Sequence, residues 1–198
     1  MESTYIINNG MSLNAGTTHA VLNYSGTIAA HHVIPAQTIP LGNNQLVIKP
    51  ISIDAEGDEH KGTYTVSQEP IEIRQGGGVL ASLSAATLKG EYRHIGDGIV
   101  LQDVTYDLPS TTVNSPTGEM TFNGTHLSYR NDEKSHLIDT TLTLSVTSIE
   151  SAMGRLGDYT LTLATNNVPV SFVKHVNSLS KIDIEKDLVT IDGKALSL

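Results

Sequence analysis

The sequence contains no cysteine and no tryptophan, and only two of its 198 residues are phenylalanine. Without cysteine, the chain cannot form a disulfide, a thiolate nucleophile or a cysteine-bound zinc site. Basic residues are also few, since 12 lysines and arginines stand against 21 aspartates and glutamates and give a formal net charge of −9. The basic residues are scattered rather than clustered, so we expect no nucleic-acid partner and no anchoring to an anionic membrane surface.

Long apolar runs are missing as well. No stretch approaches the roughly 20 apolar residues of a membrane-spanning helix, so we expect no transmembrane segment in this chain. The first residues, "MESTYIINNGMSLNAG", lack the basic and apolar regions of a signal peptide. The protein is therefore either intracellular or a mature or trimmed part of a longer cell-envelope protein, and we favour the second interpretation.

Threonine, serine, valine, isoleucine and leucine are abundant, and pairs that tolerate positive φ recur at short intervals. These pairs include Asn43-Asn44, Gly57-Asp58, Asn123-Gly124, Asn131-Asp132 and Asn166-Asn167. The segments between such pairs have the length of strands, and we predict strands near 20–29, 45–53, 62–68, 70–74, 79–88, 99–106, 119–129, 138–147, 159–165, 168–174 and 187–191. This spacing predicts an all-β fold, either an antiparallel sandwich or a long curved antiparallel sheet, with at most one or two short helices.

We expect an N-terminal arm over residues 1–16 and a single all-β domain over residues 17–198. One short helix is a candidate within that domain. Its apolar residues have the spacing of one helical face, and they are Ile149, Ala152, Met153 and Leu156. Because Gly154 weakens a helix, a loop that covers a sheet end is the alternative.

The residues that usually carry chemistry form no recognisable pattern. The eight histidines include no HxH or HExxH spacing, and the adjacent His31 and His32 would point to opposite faces of a strand. The acidic run "DAEGDEH" at 54–60 departs from a calcium-binding loop, and "RQGGGV" at 74–79 lacks the lysine and helix of a phosphate-binding loop. We therefore predict no catalytic residue, no cofactor and no metal ligand, unless histidines and carboxylates converge in the fold.

The segment "TTLTLSVTS" at 140–148 shows the alternation of a half-buried strand. One parity carries leucine and valine, and the other carries threonine and serine. Such a strand makes contacts through an exposed backbone edge or through an apolar groove. We therefore predict partner binding at Thr141, Leu142, Thr143, Leu144, Ser145 and Val146.

Three segments resemble the YdgA-type family of bacterial periplasmic proteins, a family of uncharacterised function. They are "VLNYSGTI" at 21–28, the region 120–163 with its paired "TLTL" strands and "LG" step, and "VTIDGKALSL" at 189–198. The family begins with a membrane anchor and carries a long helical stretch before its closing hairpin, and this chain has neither. The resemblance implies a location in the periplasm or cell envelope, and it implies no catalytic residue.

Three functional hypotheses follow. The first is a non-enzymatic envelope protein that binds lipid or an envelope partner protein through its sheet, with self-association through strand edges as a further contact. The second is a structural subunit of a virion, phage tail or fibre. The third is a carbohydrate-binding module or a hydrolase, which would require tyrosine platforms or a polar cleft.

Overall fold

The computed structural model describes residues 2–7, 11–95, 99–116, 118–178, 190–191 and 194–195. Fifteen strands form one antiparallel sheet, and two short strands form a separate hairpin. In chain order the elements are β1 (Glu2–Ile7), β2 (Met11–Leu22), β3 (Ile28–Ile34), β4 (Gln37–Leu41), β5 (Asn44–Ile48), β6 (Ile51–Gly57), β7 (Lys61–Gln68), β8 (Ile71–Gln75), β9 (Gly78–Leu83), β10 (Ala86–His94), β11 (Val100–Ser115), β12 (Gly118–Lys134), β13 (Leu137–Ser151), β14 (Gly154–Leu156), β15 (Tyr159–Pro169), α1 (Val170–Ser178), β16 (Thr190–Ile191) and β17 (Lys194–Ala195). The all-β prediction is confirmed in its single-sheet form.

The sheet is a meander in which strands that follow one another in the chain lie side by side. Four pairs of short strands, β3 with β4, β5 with β6, β7 with β8 and β9 with β10, are each two halves of one long strand with a two-residue interruption. The halves keep the same order, since β3 pairs with β6 while β4 pairs with β5, and β7 pairs with β10 while β8 pairs with β9. With each pair counted as one strand, the spatial order follows the chain from β1 to β15.

The interruptions lie at one level and form a line across seven strands, which we call the crease. Its positions are Pro35-Ala36, Lys49-Pro50, Glu69-Pro70, Ser84-Ala85, Pro109, Gly124 and Thr147. Four of the seven prolines of the chain lie on this line. Because proline has no N–H to donate, it is tolerated inside a sheet only where pairing is interrupted. The crease divides the sheet into a wide part, which contains β2, β3, β6, β7, β10 and β15, and a narrow part, which contains β4, β5, β8, β9 and β14.

Apolar alternation shifts by one residue at the crease. In the strand formed by β5 and β6, the apolar residues are Leu46 and Ile48 on the narrow side and Ile51 and Ile53 on the wide side. Ile48 and Ile51 are three positions apart instead of two, so the alternation shifts there by one residue. A shift in one strand alone would turn its apolar residues away from those of its neighbours. Because each of the seven strands carries the same shift, the apolar residues of neighbouring strands lie opposite one another on both sides of the crease.

A small hydrophobic core lies at one end of the sheet, where α1 packs. Ile99, Leu101 and Ile138 are buried there, and Val170 and Val173 of the helix pack against them together with Ile95. Beside this core, β11 and β12 separate beyond Val104 and Tyr129. The side chains of Asp103 and Asn131 join the two strands there, because Asp103 Oδ1 accepts the Asn131 backbone N–H at 2.6 Å and Asn131 Nδ2 donates to the Gln102 carbonyl.

Several local predictions are wrong. Residues 149–156 are the end of β13 and the short strand β14 rather than a helix, because the backbone of β13 pairs with β12 and β14. The predicted strand at 168–174 is mostly helix α1. The predicted turns at 123–124 and 131–132 lie within β12, which runs on to Lys134.

Both ends of the chain contribute strands among the described residues. The predicted arm, residues 1–16, contributes β1 and the first part of β2, which pair with each other. Its separation from a single domain over 17–198 stays a prediction. Of the predicted strand at 187–191, residues 187–189 lie outside the described part of the chain, and the remaining two form β16.

Candidate interaction surface on the sheet

The wide part of the sheet has one apolar face, which the register defines. Rows of directly paired residues cross nine strands, from β2 to β15. One row consists of Thr18, His32, Ile53, Val66, Leu88, Tyr106, Leu127, Leu144 and Leu161. The next consists of Ala20, Ala30, Ala55, Tyr64, Gly90, Val104, Tyr129, Leu142 and Leu163. With neighbouring strands about 4.8 Å apart, each row is about 38 Å long.

The middle of the apolar face is half-buried by its own neighbours, and its β13–β15 side is open. Tyr64 lies across Gly90, where a Cβ atom would come within 2.2 Å of the tyrosine Cζ. Towards the edge, Leu144 is 38% exposed, and Leu161 and Leu163 are each 55% exposed. Apart from the β16–β17 hairpin, the described residues form no second sheet that could cover this face. A one-layer sheet leaves apolar surface in water, which costs free energy until something covers it.

Burial raises the pKa of the Tyr106 phenol above its usual value near 10. Desolvation is the only cause, because it disfavours the charged phenolate. Tyr106 lies in the middle of the apolar face, opposite Leu88 and Leu127. The shift therefore reflects the partial burial of this phenol by its neighbours on the sheet.

The opposite face of the wide part is polar, and cavities of about 480, 490 and 850 Å³ adjoin one another on it. The first two share Thr63 and Thr65, and the second and third share Asp103 and Arg130. Charges in this trough are partly paired, since Arg93 lies 3.4 Å from Asp103. Because water can satisfy hydroxyl and charged groups, this face is well solvated, whereas the apolar face is not.

Two histidine–carboxylate pairs lie on the polar face. His31 Nδ1 is 2.6 Å from Asp54 Oδ1, and His126 Nδ1 is 2.6 Å from Asp107 Oδ1. The register also places Ser145 opposite His126, on the side away from Asp107. A catalytic triad needs a hydrogen bond from serine to imidazole, and in the described part of the chain none joins these two residues. The row therefore gives no support to nucleophilic catalysis.

The acidic run at 54–60 is divided between a strand and a turn. Asp54 pairs with His31 on the sheet, whereas Asp58 Oδ1 accepts the backbone N–H groups of His60 and Lys61 at 2.7 and 2.9 Å. The Lys61 and His60 N–H groups lower the pKa of Asp58. Among the described residues, no three histidine, aspartate or glutamate side chains gather as metal ligands would.

The six residues predicted to bind a partner lie on β13, one strand in from the edge. The backbone of β13 pairs with β12 on one side and with β15 on the other. Leu142, Leu144 and Val146 belong to the apolar face, while Thr141, Thr143 and Ser145 belong to the polar face. Strand addition at these residues would require β15 to leave, so any contact they make is through side chains. Whether a partner binds there stays a prediction.

The exposed edge next to them is β15, whose "YTLTLATNN" sequence echoes that of β13. In the described residues β15 pairs only with β13, and residues 159–167 are all exposed. The similar sequences of β13 and β15 do not reveal which of the two is the edge, because strand order decides that. The lack of charged residues in β15 was the one sequence feature that could have indicated an interaction edge.

A family model described as "Bacterial protein of unknown function (DUF945)" matches residues 13–187, which include nearly all of the sheet. The chain belongs to this DUF945 family. The match confirms the coarser part of the predicted resemblance, a bacterial family of unknown function. No curated protein and no solved structure gives a significant match to the DUF945 chain. No helix among its described residues is long and apolar enough to cross a membrane.

Proposed function

We propose that this DUF945 protein is a non-enzymatic, YdgA-like module of the bacterial periplasm or cell envelope that binds the acyl chains of individual lipid molecules on its apolar face. The observation that carries the proposal is the pair of rows that is apolar across the seven strands from β6 to β15, with leucines up to 55% exposed. Apart from the β16–β17 hairpin, the described residues form no second sheet that could cover them. The proposed location rests on the sequence resemblance.

Acyl chains suit this surface for two reasons. From β6 to β15 the rows contain aliphatic side chains, tyrosines and Gly90 but no charged side chain, so they offer apolar contact area. Thr18 and His32, at the β2–β3 end of one row, are its polar members. The net charge of −9 opposes docking on an anionic bilayer, which favours single lipid molecules over a membrane surface. An envelope partner protein with an apolar patch is the alternative occupant.

The carbohydrate alternative has less support from the side chains. A sugar platform uses exposed aromatic rings, but Tyr64, Tyr92, Tyr106 and Tyr129 are half-buried on the apolar face. The exposed Tyr24 and Tyr159 lie on opposite sides of the sheet, next to β2 and on β15, so they form no common platform. The polar trough is lined mainly by hydroxyl and charged groups, and the two tyrosines that border it, Tyr64 and Tyr129, belong to the rows of the apolar face. The fibre or virion alternative would act through sheet edges and not through the apolar face.

The test compares two variants of the same strand. Leu142→Thr/Leu144→Thr removes two apolar side chains from the apolar face, and the control Thr141→Ser/Thr143→Ser changes the polar face of β13. Binding is measured with the neutral probe N-phenyl-1-naphthylamine and by its displacement with lysophosphatidylethanolamine. We expect the leucine variant to bind both at least about tenfold more weakly, because each leucine contributes roughly 1 kcal/mol of burial. The control should bind as the wild type does.

Two outcomes would overturn the proposal. One is a wild-type protein that neither binds the probe nor retains lipid in native mass spectrometry after purification from its source. The other is a leucine variant that keeps wild-type affinity while circular dichroism shows the same sheet content. A polypeptide retained in place of lipid would support the alternative occupant.

A further inference from the structure

Strand β15 presents an exposed edge over residues 159–165, which contain no charge, proline or bulge and pair on one side only among the described residues. The bulge of β15 and its Pro169 come after Thr165. The strand has eleven residues and includes no charged side chain. Natural sheets usually protect such edges with lysine, proline, a bulge or a short strand, because the unpaired N–H and C=O groups accept another strand. The other edges are short, since β4 has five residues with Pro40 among them, β14 has three, and the part of β2 beyond β1 has five, residues 18–22. The last strand at the far end, β1, has six residues and includes Glu2.

We propose that β15 is a self-association interface, at which a second copy of this chain pairs antiparallel about a two-fold axis. A two-fold interface must be self-complementary. The segment from Tyr159 to Leu163 meets this condition if Leu161 lies opposite Leu161 of the second copy. Tyr159 then faces Leu163, and Thr160 faces Thr162. Apolar residues meet apolar residues and threonines meet threonines, which are favourable cross-strand pairs.

The apolar face and the charge distribution both favour a second copy. Tyr159, Leu161 and Leu163 belong to the apolar face, so this pairing continues the apolar rows of one copy into those of the other. The chain carries a net charge of −9 and would repel its own copy over most of its surface. At this edge the nearest acid, Asp158, lies opposite Ala164, so no carboxylate faces another.

The geometry of β15 also limits the length of the interface. Asn167 has a φ of 57°, and its backbone N–H donates to Asp139 Oδ1 at 2.6 Å, which fixes a bend before Pro169. Pairing therefore extends from Gly157 to Thr165 and no further. An interface of one strand on each side is at the small end of specific interfaces, so the dimer is weak and concentration-dependent.

The absence of cysteine makes cross-linking a direct test. A Leu161→Cys variant places two thiols opposite each other on the two-fold axis, and mild copper oxidation should give a disulfide-linked dimer. Val113→Cys is the matched control, since Val113 is also an exposed apolar residue of the sheet but lies on β11. The proposal is overturned if Leu161→Cys cross-links no faster than this control. It is also overturned if Thr160→Cys cross-links faster than Leu161→Cys, because that would show another register.

Charge provides a second, reversible test on the full chain. Leu161→Lys puts two cations opposite each other and should raise the dimer dissociation constant at least about tenfold, as measured by native mass spectrometry or light scattering. Leu156→Lys is the control, because Leu156 on β14 is 55% exposed, as Leu161 is. A wild-type protein that stays monomeric at about 100 μM, a concentration above the dissociation constant of a weak dimer, would overturn the inference. A ladder of larger multimers would also overturn it and would indicate head-to-tail fibres.

The dimer does not depend on the lipid proposal. A monomer that still binds the apolar probe overturns only the interface, and a dimer that binds no probe overturns only the lipid function.

Discussion

The helix-capped end of the sheet and its open apolar face use the same residue types but differ in what covers them. At the capped end, Ile138 is 3% exposed and Leu101 is 5% exposed, because α1 packs over them. On the open face, Leu161 and Leu163 remain 55% exposed. Burial therefore assigns the aliphatic residues at the capped end to folding stability, whereas those on the open face remain available for contacts with another molecule.

The largest effect on the free energy of unfolding is expected at the capped end. Ile138→Ala removes a buried side chain and leaves a cavity beneath α1, so we expect the free energy of unfolding to fall by about 2–4 kcal/mol. Urea denaturation followed by circular dichroism measures this change. Leu163→Ala is the matched substitution on the open face and should cost under about 1 kcal/mol, because half of that side chain is already in water. Equal losses in the two variants would show that the open face is covered after all.

A smaller effect is expected at the boundary between the two regions. Asn131 is 7% exposed, and its Oδ1 accepts a hydrogen bond from Thr140 Oγ1 at 2.8 Å while its Nδ2 donates to the Gln102 carbonyl. Asn131→Ala removes both hydrogen bonds of a buried amide and should lower the free energy of unfolding by about 1–3 kcal/mol. The neighbouring variant Asp132→Ala lies on the surface and serves as the control. If the two variants unfold at the same urea concentration, the separated strands are not held together by Asn131.

The smallest effect sharpens the description of the open face. The pKa of Tyr106 is raised by burial, so folding favours the neutral phenol. Its contribution to stability is fully present below about pH 10, the unfolded value, and is lost as the pH rises through the higher folded value. Ultraviolet titration should show one late-ionising tyrosine that disappears in Tyr106→Phe.

Adding lysophosphatidylethanolamine to that titration gives a further reading. A lipid on the apolar face should raise the pKa of Tyr106 further, because it removes more water from the phenol. A titration curve that lipid leaves unchanged would mean that the acyl chain binds elsewhere.

Sequence alternation predicted a large part of the fold. The alternation predicted that Leu142, Leu144 and Val146 share one face of a strand, and the register places them on one face. The prediction succeeded because alternation every second residue is a local property of the sequence. Turn prediction succeeded less well, since Asn123-Gly124 lies on the crease inside a strand, where Gly124 has a φ of 60°. The actual hairpin turn between β12 and β13 uses Ser135 and His136, both with positive φ and neither a glycine. Long-range pairing of the two strands determined that turn, and residue propensity did not predict it.

The candidate surface was harder to predict than the strands. Sequence patterns identified the apolar residues of β13 but could not show that β15 covers its edge, since strand order is a property of the whole sheet. The crease is visible in the sequence only in retrospect, as four prolines at one level of strands that are far apart in the chain. The helix at 170–178 replaced a predicted strand because Val170 and Val173 pack against Ile99 and Leu101, a contact between distant residues.

Meander connectivity has a consequence for how the chain reaches this structure. Each strand finds its partner in the strand made just before it, so pairing can advance as a zipper behind the ribosome without waiting for distant segments. Sheets assembled from local hairpins avoid much of the loop-closure entropy that slows Greek-key proteins. Until the last hairpin closes, however, each newly added strand has an unpaired edge. Partly synthesised chains can aggregate through that edge, so pairing of the next strand must be faster than aggregation.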